Sequence, residues 1–399
     1  MKELFPALIN NKEMVYLDSA ASSIKPKCVI DAIKDYYDNY STNIERGVYR
    51  WSIEATNRCE ESRKAMAKYI NASKEEVIFT RGASNSLNMV AKMLEDILED
   101  GDEVITSELE HHSSFLPWLN ISKHKNIVLK FVPLTSDGKI TVENFKKVLS
   151  NKTKVVALTH VSNVLGYKTP IEEIIKLSHE KGAICSIDGA QAIPHMKIDV
   201  KALDVDFYSF SLHKMCGPTG LGVLYGKKEL LNKLEPVELG GEMNDEVSVD
   251  SVTYKAIPYK FETGTMPIAE IFAVKPCVEL LESIGIEKIE ERSIYLRDLA
   301  LKELLKMEDI IVYNASEESS IIAFNIKGVH SHDAVSAISE DDICIRAGHH
   351  CAEPLHKFLK LSSTLRASFY FYNDEEDVKK FIDGIKKTID FFKEVGYIG

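Results

Sequence analysis

A chain of 399 residues, 45% hydrophobic and 28% charged, is long enough to bury two cores and too apolar to remain disordered. Its formal net charge of -12 argues against a general role on nucleic acid or membrane surfaces, because phosphate-rich partners are held by clustered lysine and arginine. The seven cysteines show no Cys-x-x-Cys spacing, and neither a leader pattern nor a run of about 18 apolar residues occurs. We therefore expect a cytoplasmic protein that acts on a small molecule or on a protein partner.

Strand and helix patterns alternate through the first two thirds of the chain. Near-continuous Val, Ile and Leu strands between amphipathic helices indicate an α/β fold, with a mostly parallel sheet flanked by helices on both faces. Ligands of such sheets bind beyond the carboxyl ends of the strands. The predicted strands are 14–19, 76–80, 103–106, 127–132, 154–159, 183–187, 205–210 and 221–225.

The stretch 207–220 carries the most informative chemistry. Lys214 leaves an aromatic strand with Ser211 and His213 beside it, and Gly217-Pro218 breaks the strand directly afterwards. Burial lowers the pKa of a lysine, so its free amine is able to form a Schiff base with an aldehyde cofactor. Taken alone, the motif fits a lysine closing a strand at the surface equally well.

Further predicted strands also end on polar residues suited to cofactor chemistry. Ser84 follows a glycine-containing turn at a helix start, which suits a phosphate, and His111 belongs to a pair able to stack on an aromatic ring. Asp188 offers a carboxylate to a protonated pyridine nitrogen, and Asn163 or Gln191 an amide to a ring hydroxyl. Helix caps and surface pairs remain alternatives for each residue taken singly. In series, the residues match the requirements of a pyridoxal phosphate site.

The pattern changes in the last third of the chain. Loop-like sequence at 236–259 and a long helix at 269–284 are followed by longer helices and short strands near Ile310, at 321–326 and at 343–346. A charged amphipathic helix at 374–393 ends the pattern. We expect a large cofactor-binding domain at 17–280, and a smaller α+β domain at 281–399 that includes the N-terminal segment 1–16.

These motifs together resemble those of the SufS-like cysteine desulfurases, in the class V aminotransferase superfamily of fold-type I pyridoxal phosphate enzymes. The resemblance runs nearly end to end. Its most specific pieces are Leu17-Asp-Ser-Ala-Ala21, Arg46-Gly47-Val48, Glu110-His-His112 with Pro117-Trp118, His160-Val-Ser-Asn-Val-Leu-Gly166, Asp188-Gly-Ala-Gln191, His213-Lys214 with Gly217-Pro-Thr-Gly220, Arg346-Ala-Gly-His-His-Cys351 and Arg366-Ala-Ser368.

The resemblance implies a role for each candidate residue. Lys214 is expected to bind pyridoxal 5'-phosphate covalently, and Asp188 to pair with its pyridine nitrogen. Asn163 and Gln191 are expected to bind the ring oxygen, and His111 to stack on the ring and relay protons. The cofactor phosphate is expected to be bound by Ser84, Ser211 and His213, and by Thr265 from the other subunit of a homodimer. Arg366, with Arg346 beside it, is expected to bind the substrate carboxylate.

Cys351 determines which reaction is expected. In a glycine-containing loop beside two histidines and an arginine it is identified as a nucleophile. A zinc site and a buried inert thiol are the alternatives, although three consecutive residues rarely all reach one metal. The implied reaction removes sulfur from L-cysteine, giving L-alanine and a persulfide on Cys351. The sulfur would then pass to an acceptor protein for iron–sulfur cluster assembly.

Two alternatives to this function stay open on sequence. A selenocysteine lyase, or another lyase or aminotransferase of the same fold, would use the same lysine, aspartate and arginine. A catalytically silent scaffold would need neither Lys214 nor Cys351. Cys216, two positions from Lys214, is expected to pack as a small apolar residue. His332 is a candidate contact for a zinc-containing acceptor, although a polar helix N-terminus is the favoured interpretation.

Overall fold

The computed structural model describes residues 1–397, and helices cover both faces of its main sheet. The helices are α1 Pro6–Asn10, α2 Lys27–Asn39, α3 Arg50–Tyr69, α4 Ala83–Glu95, α5 His112–Ile121, α6 Val142–Val148, α7 Ile171–His179, α8 Lys228–Lys233, α9 Ile268–Phe272, α10 Val274–Ile284, α11 Ile286–Leu304, α12 Ser331–Ser339, α13 Glu353–Phe358 and α14 Glu375–Glu394.

The strands form a large sheet, a smaller sheet and two short pairs. In chain order they are β1 Val15–Tyr16, β2 Val77–Thr80, β3 Glu103–Thr106, β4 Val128–Phe131, β5 Thr153–Thr159, β6 Ile184–Asp188, β7 Phe207–Ser211, β8 Gly222–Gly226, β9 Asn244–Val247, β10 Val252–Tyr254, β11 Ile310–Val312, β12 Ile321–Ile326, β13 Ile343–Cys344, β14 Arg346–Gly348 and β15 Thr364–Ser368.

The large sheet has the order β2-β8-β7-β6-β5-β3-β4 within the described chain. Its pairs are parallel from β7 through β4, whereas β8 runs antiparallel to both β7 and β2. The predicted mostly parallel sheet is therefore confirmed. Since β8 opposes both of its neighbours, β2 points the same way as β7. The carboxyl ends of β2, β3, β5, β6 and β7 consequently lie along one edge.

Each face of this sheet is covered by its own hydrophobic core. Val155 and Val156 are both fully buried, but the first packs in one cluster with Trp118 of α5 and the second in another with Ile174 of α7. Successive side chains of a strand point to opposite faces, so a strand covered on both faces must be apolar throughout. This explains the near-continuous hydrophobic strands seen in the sequence.

The smaller sheet is antiparallel, with the order β11-β12-β15-β14 among the described residues. Helices α11, α12 and α14 pack around it. The N-terminal strand β1 pairs in parallel with β13, and Val15 and Leu17 are buried in the core of this smaller sheet. The domain limits 17–280 and 281–399 remain predictions.

Three predicted elements differ from the structure. The loop-like stretch 236–259 contains a hairpin, β9 and β10, whose exposed polar residues carry little strand signal. The helix predicted at 269–284 is divided at Ala273, which puts Pro276 in the first turn of α10, where its missing backbone N–H removes no hydrogen bond within the helix. The strand predicted at 343–346 splits because β13 pairs with β1, and β14 with β15.

Across residues 1–397, no helix is both long enough and apolar enough to span a lipid bilayer.

Candidate active site

A cavity of about 300 Å³ opens where the carboxyl ends of the large sheet meet the smaller sheet. Its lining comes from the segments that follow β2, β3, β5, β6 and β7, together with residues of β14, β15 and the loop after β14. Most residues predicted for the site meet here. They are Ser84, His111, Asn163, Asp188, Gln191, Ser211, His213, Lys214, Arg346, Cys351 and Arg366.

Lys214 and Asp188 face the same cavity from neighbouring strands. Lys214 ends a short 3-10 turn after β7, and Asp188 is the last residue of β6. Burial lowers the pKa of Lys214 to about 8, although the nearby Asp188 carboxylate opposes the change. Burial also raises the pKa of Asp188, with Lys214 opposing. The site thus holds an amine with a substantial neutral fraction near neutral pH, beside a carboxylate in need of a cation.

His111 is held in a single tautomer by the helix that follows it. It is the N-cap of α5, and its Nδ1 accepts the backbone N–H of Ser113 at 3.1 Å. With Nδ1 accepting, the ring proton must lie on Nε2. Burial, together with nearby Lys214, lowers the pKa of His111 to about 4. The neutral ring therefore presents an N–H group rather than a lone pair at Nε2.

The amino end of α4 opens at one end of the cavity. Its N-cap is Gly82, which has no side chain to satisfy the first amides of the helix, and Ser211 Oγ accepts only the N–H of Ala83 at 2.7 Å. A Cβ at Gly222 would lie 2.4 Å from Gly82 Cα, so this close approach requires glycine. Free helix amides beside Ser84 and Ser211 suit a phosphate.

Two arginines converge on Asp18 at the other end. The register of β14 and β15 puts Arg346 directly opposite Arg366. Asp18 accepts bonds from Arg346 Nη2 at 2.8 Å and from Arg366 Nη2 at 3.3 Å. Arg366 Nη1 also donates to the Asn163 carbonyl at 2.8 Å, and within the described structure its buried Nε has no partner. An unpaired guanidinium donor is costly, so this end is suited to an anion such as a carboxylate.

Cys351 lies in a backbone-strained loop at the cavity wall. Its side chain is exposed, and it and His350 both have left-handed backbone conformations, with φ of 57° and 51°. Asn163 Nδ2 donates to the His350 carbonyl at 2.5 Å. The backbone N–H of His112 donates to the Cys351 carbonyl at 2.7 Å. The thiol is therefore held beside the lysine and the arginines, although it lies 137 residues after Lys214 in the chain.

A zinc site at Cys351 has no support in the geometry. Within residues 1–397, the only group of three potential ligands close enough to share a metal is His179, Cys185 and Asp206. In that group Asp206 also binds Lys227 at 3.0 Å, and His179 at 2.8 Å, so the carboxylate is already neutralised. Cys351 is not a member of this group, and its exposed thiol argues against the buried inert cysteine raised as an alternative.

Thr265 is the one predicted site residue that the fold puts elsewhere. It lines a separate small cavity with Asn43, Tyr259 and Glu262. The expected role of Thr265, binding the cofactor phosphate of a second subunit, remains a prediction. Cys216, the unusual neighbour of Lys214, is fully buried, and burial raises the pKa of its thiol to about 12, as expected for a packing residue.

Sequence reasoning missed Asp18 as a residue of the site, and it named His350 only as a neighbour that favours the Cys351 thiolate. Asp18 pairs with both arginines, and its signal was present, since a carboxylate at the end of the predicted strand 14–19 repeats the pattern used for Asp188. His350 lines the cavity with its Nδ1 unpaired among the described residues, and burial lowers its pKa to about 2. A histidine beside a predicted nucleophile gave no sign that it would be buried.

These residues fit pyridoxal phosphate. The cavity volume is typical of cofactor sites, and the amine of Lys214, the buried carboxylate of Asp188 and the ring of His111 supply the expected chemistry. The amino end of α4 offers free amides for the phosphate.

Residues 15–381 match the model of the aminotransferase class-V family. The chain belongs to the class V aminotransferases. A family relative from Halalkalibacterium halodurans, described as a probable cysteine desulfurase, is 46% identical over 99% of this chain and 98% of its own length.

Solved structures of class V relatives agree. The crystal structure of the cysteine desulfurase CsdA from Escherichia coli, as the S-sulfonic acid, has a TM-score of 0.92 at 36% identity and covers 98% of both chains. The apo structure of a cysteine desulfurase from Thermococcus onnurineus has a TM-score of 0.93 at 37% identity and covers 96% of both chains. The expected fold is confirmed.

Proposed function

We propose that this class V aminotransferase is a cysteine desulfurase, which converts L-cysteine to L-alanine and carries the sulfur as a persulfide on Cys351. The observation that carries the proposal is the exposed Cys351 thiol at the wall of a cavity that also contains Lys214 and Asp188. The relatives named above as cysteine desulfurases, which match over nearly the whole chain, support it. A transaminase or a scaffold would have no use for a thiol at this point.

Pyridoxal phosphate would be held by Lys214, with Asp188 at its pyridine nitrogen, Asn163 and Gln191 near its ring oxygen, and Ser84, Ser211 and His213 near its phosphate. When bound, it withdraws electrons from the α carbon of the amino acid substrate. The Lys214 amine, with its pKa lowered to about 8, takes the α proton when it is neutral.

The substrate carboxylate is assigned to the two arginines. Arg366 presents its unpaired Nε, and Arg346 is anchored beside it through Asp18. A planar guanidinium binds a carboxylate through two parallel hydrogen bonds, which fixes the orientation of the substrate as well as its affinity. Cys351 lines the same cavity as both arginines.

His111 is assigned the ring face and a hydrogen bond from Nε2–H. The neutral, Nε2-protonated ring donates to substrate or cofactor atoms in the cavity. To accept a proton it must use Nδ1, and this requires loss of the bond from the Ser113 amide. In the resting protein, His111 therefore donates a hydrogen bond from Nε2 more readily than it accepts a proton at Nδ1.

The Cys351 thiolate attacks the substrate sulfur. The new sulfur–sulfur bond replaces the carbon–sulfur bond, whose electron pair stays with the carbon skeleton, and protonation of that carbon yields alanine. Cysteine and the enzyme thiol thus give alanine and the enzyme persulfide, with no external oxidant or reductant. Cys351 is exposed, so the persulfide is accessible to an acceptor protein.

Two partners belong to the same proposal. Thr265, which lies outside the cavity, would reach the phosphate of a second copy in a homodimer. An acceptor protein would approach the exposed face near Cys351, where the His332 ring of α12 lies beside Gly348, with Nε2 3.9 Å from the position that a Cβ on Gly348 would occupy. Iron–sulfur cluster assembly as the destination of the sulfur, and a cytoplasmic location, remain predictions.

Mass spectrometry of the protein after addition of L-cysteine tests the proposal. We expect a mass increment of one sulfur atom on the Cys351 peptide, with release of alanine. Cys351→Ala should lower the rate of alanine formation at least about 100-fold, because the nucleophile is lost. Cys344→Ala, at a half-buried thiol seven residues upstream, is the matched control. Full alanine and sulfide production by Cys351→Ala would refute the proposal.

A further inference from the structure

His112 contacts the Cys351 loop at two points, the cysteine carbonyl and the backbone amide two residues after it. Its backbone N–H donates to the Cys351 carbonyl at 2.7 Å, and its side-chain Nε2 accepts the backbone N–H of Glu353 at 3.1 Å. His112 is the first residue of α5, which extends from the large sheet, whereas Glu353 begins α13 in the C-terminal part of the chain. One residue therefore ties the nucleophile's loop to the opposite wall of the site.

The loop needs such ties because its backbone is strained. His350 and Cys351 are consecutive non-glycine residues in the left-handed region, where the Cβ of an L-residue is crowded against the backbone. A loop in this state relaxes to another conformation unless its surroundings hold it. The Ala352 N–H to His349 carbonyl bond closes the turn locally but fixes nothing relative to the cavity.

Helix α13 also lacks a cap of its own. Its N-cap is Ala352, which has no side-chain acceptor, and the N–H of Glu353 is one of the first amides left without a partner inside the helix. His112 Nε2 provides the missing acceptor from another element. Since Nε2 accepts, the ring proton of His112 lies on Nδ1, opposite to the arrangement in His111.

We propose that His112 is a positioning residue that caps α13 and holds Cys351 at the cavity wall. The two neighbouring histidines then have separate tasks: His111 faces the cavity, and His112 fixes the nucleophile's loop. The catalytic part of this assignment rests on the proposed desulfurase function, whereas the structural part does not.

Substitutions at His112 separate the side-chain bond from the backbone bond. His112→Ala keeps the backbone N–H and removes the acceptor. His112→Gln puts an oxygen at the same number of bonds from Cα as Nε2, whereas the amide of His112→Asn is one bond too short. Asn120→Ala, at an exposed position of the same helix, is the matched control.

The readout that does not depend on activity is hydrogen–deuterium exchange of the peptide spanning Cys351 to Leu355, in cofactor-free protein. We expect exchange of the Glu353 amide to be about five- to tenfold faster in His112→Ala and His112→Asn than in wild type, with His112→Gln and the control unchanged. Unchanged exchange in His112→Ala, or a His112→Gln variant as fast as His112→Ala, would overturn the proposal.

Turnover of L-cysteine gives the second readout. If the loop is mispositioned, kcat should fall about tenfold in His112→Ala with KM unchanged, and His112→Gln should restore it. If the kcat of His112→Ala equals that of the Asn120→Ala control, His112 does not position Cys351. Wild-type protein that forms no persulfide would instead count against the desulfurase function, and the exchange result would still decide whether His112 caps α13.

Discussion

Two buried arginines, Arg63 and Arg366, are 3% and 2% exposed and have very different surroundings. Arg63 donates to Glu262 at 2.6 and 2.8 Å, to the Val77 carbonyl at 2.9 Å and to Glu60 at 3.2 Å. Arg366 donates one hydrogen bond to the Asn163 carbonyl and one to Asp18 at 3.3 Å, and its Nε has no partner among residues 1–397. The Glu262 carboxylate raises the pKa of Arg63 against its burial, whereas burial lowers the pKa of Arg366.

The difference distinguishes a structural ion pair from a binding group. A buried charge is tolerated when its counterion and hydrogen bonds are complete, as at Arg63. At Arg366 they are incomplete among the described residues, which supports the proposal that an anionic ligand supplies the missing partner. Burial alone therefore identifies neither role; the count of satisfied donors does.

The largest expected effect lies at the structural pair. Glu262→Gln removes the carboxylate that accepts two hydrogen bonds from the buried Arg63 guanidinium and leaves only Glu60, at 3.2 Å, as its counterion. The change should lower the free energy of unfolding by about 3–5 kcal/mol, measured by urea denaturation. Glu61→Gln, which removes an exposed pair with Lys275, should cost less than about 1 kcal/mol. Equal costs in the two variants would mean that Arg63 needs no counterion, and the comparison would fail.

If Arg366 binds the substrate carboxylate as proposed, its substitution should change activity rather than stability. Arg366→Lys replaces a planar fork by a point charge, so kcat/KM for L-cysteine should fall about 100-fold. The urea midpoint should stay near the wild-type value. Arg346→Lys, at the more exposed arginine beside it, should lose only about tenfold. A destabilised Arg366→Lys with normal kcat/KM would make Arg366 a second structural residue.

Lys214 is a third buried cationic side chain, and the nearby Asp188 carboxylate offsets only part of the effect of burial on its pKa. Its reactivity toward a dinitrophenylating reagent, measured by mass spectrometry in cofactor-free protein, should reach half its maximum near pH 8 and fall about tenfold per pH unit below it, since only the neutral amine reacts. The Asp188 carboxylate opposes the effect of burial on the pKa of Lys214, so Asp188→Asn should move the midpoint to lower pH. A midpoint that moves to higher pH would mean that Asp188 lowers the pKa of Lys214, contrary to this prediction.

The strands and the site residues at their ends were predicted better from sequence than the partners of the two buried arginines. The strands 103–106 and 321–326 have the predicted bounds, and the residues at the strand ends, from Ser84 to Lys214, meet at one cavity as expected. Hydrophobic periodicity and turn residues are local signals, and the rule that ligands bind at carboxyl strand ends then brings these positions together. Neither Glu262 as the partner of Arg63 nor Asp18 as the partner of Arg366 had a local signal of pairing.

By itself, the sequence determined the layered α/β fold, the lysine and aspartate of the site, and the cysteine expected to react. Each of these follows from neighbouring residues or from a short motif. The tertiary structure alone decided that Arg346 faces Arg366, that Asp18 binds both, and that His112 holds the loop of Cys351. These contacts join segments 20 to 348 residues apart, and strand register and packing of distant elements, rather than local preference, bring such segments together.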